Sequence, residues 1–163
     1  MQYSASFAGG TVQYLFNSSF NSVLELVDPS ECIVITDSNV AQLYSHFFEP
    51  FKAVIQIDAG DDSKRVETIS YVTEELLKHE CHRKTYLLGM GGGVVTDITG
   101  FIASIYMRGT HFGFAPTSLL GMVDASIGGK NGINFKEHKN LLGTIRQPEF
   151  IVYDNDFLQT LPD

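Results

Sequence analysis

The sequence predicts an α/β fold: a mostly parallel, Rossmann-like sheet with helices on both faces and an N-terminal β-hairpin. Three observations carry that expectation. Short apolar segments alternate with stretches of helical periodicity along most of the chain. Glycines at 89, 91, 92 and 93 stand where one apolar segment gives way to the next helix. A hydrophobic content of 44% over 163 residues is enough for one packed core.

The elements follow in order. Tyr3, Ala5 and Phe7, then Val12, Tyr14 and Phe16, alternate about Gly9-Gly10 and read as a hairpin. Ser19 is placed to cap a short helix bearing Phe20, Val23, Leu24 and Val27, which stops near Pro29. Cys32 to Thr36 forms a buried strand, and Asn39 to Phe48 a helix ending before Pro50. Ala53 to Ile57 is the next strand; Val66, Ile69, Thr73, Leu76 and Leu77 then mark an amphipathic helix. A strand over Thr85 to Leu88 leads through the glycines into a helix over Val94 to Tyr106, apolar nearly all round. His111 to Ala115 is a strand closed by Pro116, followed by a helix over Thr117 to Ala125, and Glu149 to Tyr153 is the last strand. Ligands of such folds gather at the strands' carboxyl ends, here Asp37, Gly60, Gly91 to Gly93 and Thr117.

Composition narrows the partners. A net charge of −8 argues against nucleic acid or an anionic membrane surface. Between Ala125 and Gln147, however, Lys130, Lys136, Lys139 and Arg146 stand against Glu137 alone, a local net of +3. Such a patch suits a small phosphorylated or carboxylated substrate. The two cysteines, Cys32 and Cys81, form no CxxC pair. No apolar run approaches the roughly 18 residues of a membrane helix, and no secretory signal opens the chain. The expectation is a cytoplasmic protein.

Several motifs are near misses. Gly89 to Val94 lacks the third glycine of the dinucleotide fingerprint. A glycine turn before a helix still lets backbone N–H groups approach a phosphate. Gly128-Gly129-Lys130 resembles the end of a P-loop, but Asp124 replaces the first required glycine and Asn131 lacks the magnesium-binding hydroxyl. Lys130 remains a candidate point charge for a phosphate. Asp97 and Asp124 fall within helices expected to be buried, where an unpartnered carboxylate is costly. His79, Cys81 and His82 lack a fourth ligand within sequence reach, so no metal site is assigned.

From about residue 12 onward the chain resembles the 3-dehydroquinate synthase family, within the sugar-phosphate cyclases. The resemblance rests on Gly91-Gly92-Gly93-Val94-Val95 with Asp97 and Gly100-Phe101, on Tyr106-Met107-Arg108-Gly109, and on Pro116-Thr117-Ser118-Leu119-Leu120. It extends to Val123-Asp124-Ala125-Ser126 with Gly128-Gly129-Lys130, to Lys139-Asn140, and to Asp156-Phe157-Leu158 with Thr160-Leu161-Pro162. Upstream it includes Thr36-Asp37 with Asn39-Val40, and Gly60-Asp61 with Lys64.

The resemblance implies an NAD-dependent, zinc-assisted cyclisation of a phosphorylated heptulosonate in the shikimate pathway. A hydroxyl is oxidised, phosphate eliminated, the ketone reduced, and the ring closed by an aldol step. It also implies a homodimer of two-domain subunits, with residues 1–163 as the NAD-binding domain and the zinc ligands outside this chain. The chain's stop at Leu161-Pro162-Asp163, without a closing helix, reads as a fragment of such an enzyme.

By the same resemblance, Asp37 and Asn39 lie near the adenosine of NAD, and Asp61 and Lys64 on its ribose. Gly92, Gly93 and Asp97 meet the pyrophosphate and neighbouring ribose, Thr117 and Ser118 the nicotinamide half, and Phe157 to Thr160 complete the cofactor shell. Asp124, Lys130, Lys139 and Asn140 line the substrate, Lys130 and Lys139 also bordering the cofactor, and Arg108 reaches the phosphate from a partner subunit. Asp61, Thr96, Ser118 and Asn131 depart from the commonest pattern, in which they are glutamate, glycine, threonine and threonine. Thr96 and Asn131 stand beside ligand-facing positions, where a change tunes specificity. A related cyclase acting on another heptulose or on glucose phosphate, and a non-catalytic nucleotide-binding module, are the alternatives.

Overall fold

Residues 1–161 are described in the computed structural model; Asp163, and Pro162 of the last resembling motif, lie outside the described residues. Nine strands are present there: β1 (Gln2–Phe7), β2 (Gly10–Phe16), β3 (Cys32–Asp37), β4 (Ala53–Ile57), β5 (Tyr86–Gly91), β6 (His111–Pro116), β7 (Lys130–Phe135), β8 (His138–Ile145) and β9 (Phe150–Tyr153). Three α-helices accompany them: α1 (Ser38–Tyr44), α2 (Val66–Lys78) and α3 (Gly93–Ile105).

Seven strands form one sheet in the order β1-β2-β9-β6-β5-β3-β4. Only the β1–β2 hairpin pairs antiparallel in it; the other neighbours are parallel. The expected parallel sheet and N-terminal hairpin are thus both observed. After β3 the chain adds β4 on one side, then returns to place β5 on the other. That reversal opens a crevice beyond the carboxyl ends of β3 and β5. The central strands are buried on both faces, with Ile33, Ile35, Leu87, Leu88 and Phe112 wholly enclosed, as a parallel sheet covered by helices requires.

Three boundaries differ from the expectation, and one stretch forms an element that was not expected. The strand expected over Thr85 to Leu88 runs on to Gly91, so Gly89 and Gly91 lie inside β5 rather than in a turn. Close packing accounts for both. A Cβ on Gly89 would lie 2.8 Å from Thr99 Oγ1, and one on Gly91 2.5 Å from Val95 Cγ2. The helix expected over Asn39 to Phe48 stops at Tyr44 and tightens into a 3₁₀ turn, Ser45–Phe47.

The helix expected over Thr117 to Ala125 is a short π-helical segment, Gly121–Ala125. It leaves Asp124 exposed rather than buried. Residues 130–145, read only as a charged stretch, form a second, two-stranded sheet, β7 against β8. Gly132 and Gly143 face each other across this ribbon, where a Cβ on Gly143 would meet the Asn131 carbonyl at 2.7 Å. The ribbon packs on α3.

Candidate active site

Two neighbouring places hold most of the residues singled out from the sequence. The first is the crevice above β3 and β5. Gly92 caps α3 with no side-chain hydrogen bond, and Gly93 is the first helical residue. The earliest helical bond there runs from Thr96 N to Gly92 O, so the amides of the first turn have no intrahelical acceptor. With the helix dipole they make a place suited to an anion. The walls are close. A Cβ on Gly92 would stand 3.3 Å from Ser118 Oγ, and one on Gly93 3.1 Å from the Ala125 Cβ. Thr117 N donates to Gly91 O, which holds the end of β6 beside that of β5.

The second place is a cavity of about 860 Å³ between the start of α3, the π-helical segment and the β7–β8 ribbon. Asp61, Lys64, Gly93, Asp97, Asp124, Lys130 and Asn140 all line it. Lys64 Nζ bonds Asp97 Oδ2 at 2.5 Å and Asn140 Oδ1 at 2.6 Å. Burial raises the Asp97 carboxyl above its ordinary value; the Lys64 bond draws it back in part, while Asp61 and Asp124 add to the rise. Lys139 Nζ lies 2.9 Å from Asp61 Oδ2. That contact holds the Asp61 carboxyl low and the Lys139 ammonium high. Asp124 and Lys130 have no ion-pair partner among the described residues.

Asn134, which the sequence reading passed over, anchors the ribbon here. Its amide donates to Lys64 O at 2.7 Å, and its side-chain oxygen accepts from Asn140 N at 2.9 Å. Asn140 has a left-handed backbone, φ 52°, a conformation asparagine tolerates better than most residues. No sequence signal marks Asn134, because its partners come from elements distant in sequence.

Other candidates fall elsewhere. The Asp37 carboxylate caps α1, accepting from Asn39 N and Val40 N at 2.9 and 3.0 Å, and Asn39 is exposed beside it. Phe157 is buried among Phe20, Tyr44 and Phe47. Thr160 Oγ1 lies 2.7 Å from the Tyr44 hydroxyl. Both serve packing. Arg108 is exposed in the turn after α3, with φ 67°.

Arg146 leaves the cationic patch: its guanidinium donates to Ala103 O and Thr110 O at 2.7 and 2.6 Å. Thr96 and Asn131 also turn inward, Thr96 Oγ1 to Gly93 O and Asn131 Nδ2 to Gly129 O. Burial pushes the Cys32 thiol up to about 12, so it is a protonated core residue. Among the described residues no three His, Cys, Asp or Glu side chains come together as a metal site. No helix among them is long and apolar enough to cross a membrane.

A parallel sheet whose reversal point carries a glycine-lined helix start, beside a charged cavity, defines the class of doubly wound α/β ligand-binding domains. Comparison with known proteins makes the assignment particular. Residues 54–163 match the family model described as 3-dehydroquinate synthase N-terminal. The chain is 42% identical over 150 residues to the 3-dehydroquinate synthase of Pyrococcus furiosus, covering 89% of this chain and 44% of that protein. Against the enzyme of the same name from Saccharolobus solfataricus it is 44% identical over 137 residues, covering 78% of this chain and 39% of that one. The chain belongs to the 3-dehydroquinate synthase family, and it spans less than half the length of these relatives.

Among solved structures, 2-epi-5-epi-valiolone synthase from Streptomyces hygroscopicus, with NAD+ and Zn2+ bound, is 32% identical with a TM-score of 0.84. It is matched over 96% of this chain and 46% of its own. A 2-deoxy-scyllo-inosose synthase complexed with carbaglucose-6-phosphate, NAD+ and Co2+ gives a TM-score of 0.89 at 23% identity, over 99% of this chain and 47% of that one. At that identity the likeness is one of fold.

Proposed function

We propose that this chain is the NAD-binding part of a 3-dehydroquinate synthase. The enzyme would convert 3-deoxy-D-arabino-heptulosonate 7-phosphate to 3-dehydroquinate and phosphate. The observation that carries the reading is an uncapped, glycine-flanked helix start adjoining a cavity whose Lys130 ammonium has no ion-pair partner among the described residues, in a chain of this family.

NAD fits the first place: Gly92 and Gly93 leave room for a pyrophosphate against the α3 amides, and no side chain occupies the cap. Bound there, NAD supplies reversible hydride acceptance from a substrate hydroxyl. Thr117 and Ser118 form the adjoining wall. Lys64 and Asp97 present a fixed ion pair to ribose hydroxyls at the edge of the cavity. Lys130 offers an unpaired positive charge to the substrate phosphate, with Asn140 as a neutral hydrogen-bonding partner. Asp124 faces the same space as an acceptor for substrate hydroxyls. The described residues do not supply a metal site, so the zinc of the proposed enzyme would rest on ligands outside this chain. A homodimer in the cytoplasm, with Arg108 reaching a partner's substrate phosphate, completes the proposal.

A relative at 32% identity named 2-epi-5-epi-valiolone synthase favours a second reading, a related cyclase acting on another heptulose or on glucose phosphate. The test is phosphate release by the protein carrying this chain at its natural length, supplied with NAD and a divalent metal. Heptulosonate 7-phosphate, sedoheptulose 7-phosphate and glucose 6-phosphate should be compared. Preference for the first supports the synthase; preference for either other sugar replaces it with the second reading. The 163-residue chain alone should bind NAD weakly and turn over nothing.

A further inference from the structure

Lys130 follows two glycines with left-handed backbones, Gly128 at φ 91° and Gly129 at φ 72°. Glycine in such a turn carries the largest backbone freedom of any residue. An ammonium at the end of such a turn is poorly aimed unless something fixes the elbow. The fixing comes from the residue on its other side. Asn131 is 4% exposed, and its side-chain amide donates to Gly129 O at 2.8 Å and to Arg146 O at 2.9 Å. Arg146 N in turn donates to Gly129 O at 2.8 Å.

The far end of this strut is itself anchored. The Arg146 guanidinium holds Ala103 O and Thr110 O, at the end of α3 and the approach to β6. It also lies over the Phe112 ring, 5.0 Å from its centre. Helix α3 makes room for the strut at one position only a glycine can fill: a Cβ on Gly100 would lie 1.8 Å from Asn131 Oδ1. A rigid line of contacts therefore runs from the sheet through Arg146 and Asn131 to the backbone beside Lys130.

We propose that Asn131 is a positioning residue: by cross-linking the Gly129 and Arg146 carbonyls it holds the Lys130 ammonium toward the substrate phosphate. The proposal rests on the synthase reading for its substrate, but not for the strut itself. Preorganisation of this kind raises the rate by sparing the cost of orienting a charge at the moment of binding.

Two variants of similar volume separate donation from packing. Asn131→Thr keeps one hydroxyl donor, whereas Asn131→Val keeps none. In the protein at its natural length, Asn131→Val should lose about tenfold or more in kcat/KM for the heptulosonate phosphate, while NAD affinity stays within about twofold. Asn131→Thr should retain most of the activity. Amide hydrogen exchange should quicken at Arg146, whose amide donates to Gly129 O, in the valine variant and stay slow at Ile133 on β7.

Equal losses in the two variants would overturn the proposal, as would exchange quickened throughout the ribbon, since either means a packing role alone. If the unaltered protein does not act on the heptulosonate phosphate, the synthase reading fails. The exchange pattern then decides the strut by itself.

Discussion

Lys64 and Asp97 are 33 residues apart in sequence, yet the lysine Nζ lies 2.5 Å from the aspartate Oδ2. The pair joins the turn before α2 to the second turn of α3, and through Asn140 it also holds the β7–β8 ribbon. Both side chains are largely enclosed, with 7% and 19% exposure. At such a site desolvation competes with pairing.

For Asp97 burial wins over the bond to Lys64 and holds the carboxyl above its ordinary value. The native state then binds more protons at this group than the unfolded chain does. Its contribution to stability accordingly falls as pH rises through the native titration point. A carboxyl-carbon NMR titration should place the Asp97 midpoint above that of an ordinary aspartate, and Lys64→Met should move it higher still. A midpoint at or below the ordinary aspartate value would mean that pairing outweighs burial.

Gly92 gives the cleaner test of the cofactor site. Gly93 also abuts Ala125, so a larger residue there mixes packing strain with any loss of cofactor. Gly92→Ala places its Cβ 3.3 Å from Ser118 Oγ, a side chain able to give way, at an ordinary φ of −75°. The expected outcome is at least a tenfold loss of NAD affinity by calorimetry, with the melting temperature little changed. Undiminished affinity would show that the glycine serves packing only.

Lys130 separates substrate from cofactor. A charge-assisted phosphate contact contributes about 1.5–3 kcal/mol. Lys130→Ala should therefore reduce kcat/KM by roughly one to two orders of magnitude and leave NAD affinity nearly intact. Lys130→Arg should not restore full activity, because a planar fork cannot replace a compact ammonium beside two glycines. Parallel loss of NAD affinity and activity would assign Lys130 to the cofactor instead.

Sequence alone determined the layered α/β architecture, because alternation of short apolar runs with helical periodicity is a local property. The hairpin about Gly9-Gly10, the strands starting at 32, 53 and 111, and, to within one residue, the last strand and the helix after the glycine run were legible for that reason. So was the family, since its motifs are strings of neighbouring residues. Which glycines pack closely was not legible: Gly89 and Gly91 look like their neighbours until Thr99 and Val95 are seen against them. The β7–β8 ribbon escaped notice because glycines interrupt both strands and β8, exposed at nearly every position, shows no alternation of apolar and polar residues. The partners of Lys64, Asn131, Asn134 and Arg146 are fixed only when α3, the ribbon and the turn before α2 meet in space. Only the tertiary structure decided which charges are paired and which remain available to a ligand, because pairing depends on distances that sequence spacing does not set.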